Sequence, residues 1–171
     1  MLFRSRNITA KAQSNPKKVV FAEADHLKIL KAAQGAYEEG VAFPILLGDK
    51  NTIIELMNEY GIELPEVTII DPKSETEEER RTQFGMEFFN RRKRKGLTEY
   101  EAVKLMRERN HFGAMMVDLG YADAMITGLT RSYRSTVRPL LQIIGLEKEV
   151  KTAAGMYILN TKRGQIGRAH V

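Results

Sequence analysis

The amino-acid sequence predicts an α/β protein with three layers (αβα), in which helices cover both faces of a mainly parallel sheet. Short apolar runs alternate with runs whose apolar residues recur at the helical period, and three such units begin within residues 18–70. The strand-like runs are continuously apolar, which is typical of parallel strands that are buried on both faces. These observations favour a parallel, helix-covered sheet over an antiparallel or all-helical fold.

The first half of the chain contains three predicted strands. Residues 1–15 are polar and basic, and we expect a helix or linker that leads into the domain. The strands are predicted at residues 18–22, 42–47 and 67–70, and helices at residues 26–39 and 51–60. Because proline cannot donate to a sheet ladder, Pro44 predicts that the second strand lies at an edge or starts there.

Beyond the third strand the chain is predicted to be mostly helical. Residues 74–95 are highly charged with interspersed apolar side chains, which indicates one or two long helices. Thr98 and Glu101 have the spacing of a capping box and begin a helical run that extends to Leu119. Further strands are predicted at residues 124–126 and 156–159.

Residues 122–145 are the main candidate for a functional site. A strand end is followed by a hydroxyl-rich loop that holds Arg131 and Arg134, and then by a helix. Ser135 or Thr136 is predicted to cap this helix. This succession of strand, loop and helix is predicted to present backbone N–H groups and arginines to an anion at the N-terminus of the helix. An ordinary βα connection with solvated arginines is the alternative.

Two other clusters could carry chemistry. The basic cluster at residues 91–95 could bind phosphate, because guanidinium groups match phosphate oxygens, or it could only compensate a helix dipole. Glu23, Asp25 and His26 follow the first strand, at the edge where α/β sheets bind ligands, or they could cap a helix. His111 is interpreted as structural. Neither standard glycine-rich nucleotide fingerprint occurs in the sequence.

Composition limits the classes of function. The 171 residues are 43% hydrophobic and 29% charged, as in ordinary globular proteins. No apolar stretch approaches the length of a membrane helix, and no secretory signal is recognisable. The absence of cysteine excludes disulfides and thiolate metal sites, and three histidines leave little for a metal centre. The net charge of +5 suits an anionic small ligand, and no nucleic-acid-binding module is recognisable. We expect a cytoplasmic protein without membrane or nucleic-acid partners.

The last seven residues, QIGRAHV at 165–171, are excluded from the fold prediction. They are what CAGATCGGAAGAGCACACGTC encodes, which is the start of a common sequencing adapter read in frame. We therefore expect this segment to be an artefact, with a genuine short tail as the alternative. The natural protein is expected to continue past Gly164, and apolar surface around residues 156–159 to be left uncovered.

The run TGLTRSYRSTVRPLLQIIG at residues 127–145 resembles the phosphate acetyltransferase/butyryltransferase family, whose transferases carry an S-G-A-x-H-S-x-x-D-T-x-R-P-A-x-Q-I-I pattern here. The likeness covers nearly all of residues 15–164. It implies that residues 16–164 are the truncated N-terminal part of the transferase domain. That part would be the first lobe of a two-lobed fold like that of isocitrate and isopropylmalate dehydrogenases. The runs GLTRSY and KLMRERN are most similar to the phosphotransacetylase-like C-terminal region of NADP-dependent malic enzymes.

The resemblance also implies a ligand and the residues that bind it. The ligand would be acetyl-CoA, CoA or an acyl phosphate, bound by Arg92, Thr130, Arg131, Ser132 and Arg138. Two residues depart from the pattern, because its histidine is Arg131 here and its aspartate is Ser135. The serine, arginine and catalytic aspartate of active transferases fall beyond Gly164, so no catalytic and no metal-binding residue is assigned.

Two functional hypotheses follow from the resemblance. In the first, the chain is an acetyl-CoA-binding regulatory region of an NADP-dependent malic enzyme, which decarboxylates malate to pyruvate. NADP and a divalent metal would then bind the parent protein's other domains, and no cofactor would bind here. In the alternative, the chain is the first lobe of a stand-alone phosphate acetyltransferase. Both hypotheses predict a homo-oligomer through this region and no activity of the chain by itself.

Overall fold

The computed structural model describes residues 5–65, 67–153, 155–161 and 164–170, and it describes side chains for residues 8–65 and 67–153. The strands are β1 Lys17–Phe21, β2 Ala42–Leu47, β3 Thr68–Ile70, β4 Ala124–Ile126, β5 Gly155–Thr161 and β6 Gly164–His170. The helices are α1 Ser5–Ser14, α2 Leu27–Glu38, α3 Lys50–Tyr60, α4 Glu78–Arg92, α5 Glu99–Leu105, α6 Arg109–Asp118 and α7 Tyr133–Ile143. Short 3-10 turns, Glu75–Glu77 and Lys93–Lys95, flank α4.

The central sheet is parallel. Its four strands lie in the order β3-β2-β1-β4, and every neighbouring pair is parallel. Phe21 of β1 pairs with Leu46 of β2 on one side and with Ile126 of β4 on the other. The carboxyl ends of all four strands therefore meet at one edge, where α/β sheets place ligands. This arrangement confirms the predicted fold class.

Helices pack on both faces of the sheet because successive strand residues point to opposite sides. Phe21 and Leu46 face a core that includes Leu30 of α2 and Ile53 of α3. On the opposite face, the core around Val20 is built from α4 to α7, with Phe84, Phe88, Phe112, Met115 and Ile143 among its buried members. The three-layer arrangement agrees with the sequence prediction.

Helix boundaries follow from local chemistry. Asp49 caps α3 by accepting a hydrogen bond from the Thr52 N–H at 2.8 Å, and Gly61 ends that helix with φ 61°. Thr98 and Glu101 form the predicted capping box at the start of α5. The helical run predicted from this box is two helices, because α5 ends at Leu105 and α6 begins at Arg109.

Pro44 lies in an interior strand, so the prediction of an edge strand is wrong. The residue pairs with Val19 of β1, but β3 pairs with β2 only from Ile45 onward. One side of β2 is therefore open at Pro44, and the missing N–H is tolerated there.

The strands β5 and β6 pair antiparallel in a separate two-stranded sheet. The strand predicted at residues 156–159 is thus confirmed, within β5. The side chains predicted to form an apolar patch there lie outside the described residues. The interpretation of residues 165–171 as an adapter artefact stays a prediction. Of the helices described, none has the length and apolar character that crossing a membrane requires.

Candidate functional site

A cavity of about 530 Å³ opens beside the carboxyl edge of the sheet. Its wall is formed by the end of β1, the end of α4 with the following turn, the start of α6, the loop after β4, and α7. Positively charged side chains dominate the lining, contributed by Arg92, Lys95, Arg109, Arg131 and Arg138. The cavity therefore brings together three of the residues predicted for ligand binding: Arg92, Arg131 and Arg138.

The loop after β4 is held in place by Glu23, which is only 4% exposed. Its carboxylate accepts hydrogen bonds from the backbone N–H groups of Gly128 at 2.6 Å, Leu129 at 3.1 Å and Thr130 at 2.6 Å. The hydroxyls of Thr127 and Thr130 also donate to it. Gly128 adopts φ 108°, a backbone conformation that side chains disfavour, and this lets the chain turn around the carboxylate.

These contacts determine the charge state of Glu23. Burial by itself raises the pKa of a carboxyl group, but the hydrogen bonds from Thr130, Gly128 and Thr127 outweigh burial and lower the pKa of Glu23 to about 2. The loop N–H groups of Gly128, Leu129 and Thr130, which the sequence predicted to be available to an external anion, thus bind an internal carboxylate instead. The prediction is wrong for these three groups, and the positive charge that faces the cavity comes from arginine and lysine side chains.

The helix after this loop begins earlier than predicted. Ser132 is the N-cap of α7, and its hydroxyl accepts a hydrogen bond from the Ser135 N–H at 3.4 Å, so the predicted cap at Ser135 or Thr136 is wrong. Thr136 is buried and donates its hydroxyl back to the Ser132 carbonyl. Because α7 begins at Tyr133, Arg138 lies in the second turn of the helix.

Thr130 and Ser132 do not line the cavity. Both polar hydrogens of Thr130 are donated to Glu23, and the hydroxyl of Ser132 caps α7. The two residues shape the loop that presents Arg131. A direct contact with a ligand stays a prediction for both.

Three cavity arginines lack an acidic partner. Among the described residues, Arg92, Arg131 and Arg138 make no ion pair; Arg92 donates only to the Gln142 carbonyl, at 3.5 Å. Arg138 is exposed to the cavity. Arg138 is thus not a buried arginine that holds the loop by pairing with Asp123 or Glu23. Positive charge without partners is the main electrostatic feature of the cavity.

Two other arginines near the cavity, Arg109 and Arg91, are already paired. Arg109 forms a bidentate pair with Asp25, with both N–O distances at 2.5 Å, and this joins α6 to the loop after β1. Arg91, next to Arg92, bonds to Glu87 and Asp118 instead. The basic cluster at residues 91–95 thus divides: Arg91 forms ion pairs on the surface, whereas Arg92 and Lys95 face the cavity.

Glu23, Asp25 and His26, which follow β1, stabilise the fold. Glu23 holds the loop after β4, Asp25 pairs with Arg109, and the Nδ1 atom of His26 accepts a hydrogen bond from the Lys28 N–H at 3.2 Å to cap α2. In the part of the chain that the structure describes, no group of three or more His, Cys, Asp or Glu side chains could hold a metal ion.

Sequence reasoning missed two features of the cavity. It left Lys95 undistinguished within the basic cluster, and it interpreted His111 as structural although that residue lines the cavity. A signal for Lys95 was available, because Gly96 ends the preceding helix and exposes the last basic residue. No sequence signal places His111 in the cavity, since its position depends on how α6 packs against α4.

Comparison with known proteins identifies the family. The family model described as phosphate acetyl/butaryl transferase matches residues 3–170. The phosphate acetyltransferase of Helicobacter pylori is 36% identical over 154 residues, which are 90% of this chain and 29% of that protein. The enzyme of Thermoanaerobacterium thermosaccharolyticum is 31% identical over 95% of this chain and 48% of its own length. The chain thus spans less than half the length of these curated relatives.

Solved structures show the same relationship. A phosphotransacetylase from Streptococcus pyogenes superposes with a TM-score of 0.85 at 30% identity, over 98% of this chain and 51% of that one. The EutD phosphotransacetylase from Staphylococcus aureus gives a TM-score of 0.81 at 29% identity, over 94% of this chain and 48% of that one. With a family model that matches nearly the whole chain and a shared fold, the chain belongs to the phosphate acetyl/butyryltransferase family.

Proposed function

We propose that this chain binds CoA and phosphate groups in the arginine-lined cavity, as part of a phosphate acetyltransferase that moves acetyl groups between CoA and phosphate. The observation that carries the proposal is the convergence of Arg92, Arg131 and Arg138 without acidic partners in the described structure. Partner-free arginines beside a cavity are stabilised by an anionic ligand. The names of the relatives, all phosphate acetyltransferases, supply the substrate class.

The size and charge of the cavity fit such a ligand. A volume of about 530 Å³ is within the ordinary range for small-molecule sites. Guanidinium groups bind phosphate oxygens in a bidentate manner, and CoA carries several phosphate groups. Arg92 ends α4, Arg131 lies in the loop after β4 and Arg138 lies on α7, so a phosphate bound by all three would contact three segments of the chain.

The proposed role of these residues is binding and orientation. Arg92, Arg131 and Arg138 hold the anion, while Glu23 fixes the loop that carries Arg131. No residue of the chain is proposed as nucleophile, general base or metal ligand. We therefore expect the chain by itself to bind CoA or phosphate without transferring acetyl groups.

A second candidate function is the acetyl-CoA-responsive region of an NADP-dependent malic enzyme. It is favoured by Arg131 and Ser135, which replace the histidine and aspartate of the transferase pattern. None of the relatives reported above is a malic enzyme, so the comparisons support the transferase instead. The genomic sequence upstream of Met1 separates the two, because a preceding dehydrogenase region of several hundred residues is expected only for the malic enzyme.

Substitution of Arg138 tests the proposed function. We expect Arg138→Ala to weaken CoA binding by about 10- to 150-fold, because it removes a charge-assisted contact worth roughly 1.5–3 kcal/mol. Arg138→Lys should recover only part of the affinity, since the planar fork is lost. The measurement is isothermal titration of CoA, and separately of inorganic phosphate, into each variant.

Arg134→Ala is the matched control, because Arg134 lies on the same helix, is exposed and does not line the cavity. Its CoA affinity should stay within about twofold of the unsubstituted chain. Melting curves run in parallel exclude unfolding as the cause. Equal CoA affinity for Arg138→Ala and Arg134→Ala would rule out the proposed site.

A further inference from the structure

His111 lines the cavity, and its side chain makes no ion pair or hydrogen bond with the described residues. It lies in the first turn of α6 and lines the cavity together with Arg92 and Arg138. Its ring packs edge-on against Phe88 of α4, with centroids 6.1 Å apart and an interplanar angle of 66°. Because Phe88 and Arg92 are four residues apart on α4, they share one helix face, and the ring is therefore held beside Arg92.

The two ring nitrogens of His111 have different surroundings. Nδ1 is buried and has no hydrogen-bond partner among the described residues. Since His111 lines the cavity and Nδ1 is buried, Nε2 is the ring nitrogen left available to a ligand. A buried polar atom without a partner is costly and uncommon in native structures. A role in ligand binding accounts for keeping a histidine there instead of an apolar side chain.

We propose that His111 is an additional ligand-binding residue of this cavity, donating a hydrogen bond from Nε2 to the anion that Arg92 and Arg138 bind. The inference rests on the proposed function, because it requires an anion in the cavity. Neither the family match nor the sequence pattern assigns this residue.

The protonation state of His111 is consistent with this role. Burial lowers the pKa of His111; Glu108 opposes this effect, and Arg138 adds to it, so the empty cavity favours the neutral ring. A bound dianion offsets the charge of Arg138 and raises the pKa of His111. Because Nε2–H already donates to the anion, the proton taken up goes to Nδ1, and anion binding is coupled to this uptake. The charged side chains that line the cavity with His111 are Glu23, Arg92, Lys95, Glu108, Arg109, Arg131 and Arg138.

The test measures sulfate binding to the full 171-residue chain between about pH 8 and pH 5.5, a range that spans the ordinary histidine pKa. Sulfate is the probe because it stays a dianion throughout, whereas phosphate titrates. Affinity should rise by about tenfold as the pH falls. His111→Gln keeps a neutral donor. The sulfate affinity of this variant should equal that of the unsubstituted chain at pH 8 and should not rise as the pH falls. His111→Phe keeps the packing on Phe88, and its affinity should be about 2- to 10-fold lower at pH 8.

Imidazole NMR signals provide a second readout. Saturating sulfate should raise the pKa of His111, whereas the chemical shifts of His26 should not respond to sulfate, because His26 caps α2 and does not line the cavity. Glu108→Gln should keep the rise in affinity at low pH; loss of the rise in that variant would assign the coupling to Glu108 and overturn the inference.

The outcomes separate the two proposals. One outcome is that Arg138→Ala weakens sulfate binding, His111→Phe does not, and the NMR signals of His111 do not respond to sulfate. The His111 inference is then wrong and the proposed function stands. If the chain binds neither sulfate nor CoA, both are wrong.

Discussion

The carboxylate of Glu23 ties the end of β1 to the loop after β4, across more than a hundred residues of sequence. Three backbone N–H groups in succession donate to it, an arrangement that proteins also use to bind phosphate. The internal carboxylate thus takes the place that an external anion could occupy. We therefore expect the proposed ligand to be bound mainly by side chains, and its affinity to depend on the arginines.

Glu23→Gln is expected to lower the free energy of unfolding by about 3 kcal/mol at pH 7, the energy equivalent of lowering the pKa from 4.5 to about 2. The folded-state pKa is depressed, so this stabilisation is complete above about pH 4.5 and is lost as the pH falls towards 2. The difference between the two chains should therefore shrink at about pH 3. Urea denaturation at both pH values measures it. A difference that does not change with pH would contradict this assignment.

At the scale of elements, the wall of the cavity depends on how closely α4 approaches α5. A Cβ added at Gly85 would lie 2.6 Å from the Val103 Cα, which is backbone and cannot turn aside. The same helix carries Phe88 and Arg92, so its position decides where both side chains meet the cavity. The small residue at position 85 therefore supports the site without touching it.

Gly85→Ala should destabilise the fold by about 1–3 kcal/mol, because α4 and α5 must move apart. Gly35→Ala is the matched control, since Gly35 lies within α2 and an added Cβ there meets nothing within 4 Å. That substitution should stabilise by about 0.4–1 kcal/mol, through helix propensity and a more restricted unfolded chain. Thermal unfolding of the two variants compares them directly. Equal melting temperatures would show that the contact at Val103 does not matter.

At the scale of the whole molecule, α7 has an apolar side that is exposed. Tyr133 is 78% exposed, Leu141 43% and the C-cap Ile144 50%, and their spacing places them on one side of the helix. The opposite side of α7 is buried in the core through Pro139 and Ile143. Apolar residues on both sides of a helix are typical of a surface that meets another chain or domain.

We expect this exposed side to mediate the predicted self-association. Leu141→Glu should shift the chain towards the monomer, because it places a charge in an apolar contact. Ile54→Glu on α3 introduces the same charge at a similarly exposed apolar position and should have no effect. Sedimentation velocity over a range of protein concentrations distinguishes the species. A chain that is monomeric at every concentration would make the oligomer prediction wrong.

Several features could be predicted from the sequence because their causes are local. The continuous apolar runs of β2 and β4 set their bounds, which agree with the prediction at both ends. The capping box at Thr98 and Glu101 needs only the spacing of two side chains. Fold class follows from the same local patterns, since continuously apolar strands require a layer of helices on each face.

The candidate site depended on contacts that are distant in sequence. The family resemblance indicated Arg92 and Arg138, but only the packing of α4, α6 and α7 shows that both line one cavity together with His111 of α6. Glu23 looked like a helix cap, and its role depends on a loop that the sheet order β2-β1-β4 brings beside it. Local propensity decides which segments become strands and helices; which side chains then share a cavity is decided by non-local packing, and so by the tertiary structure alone.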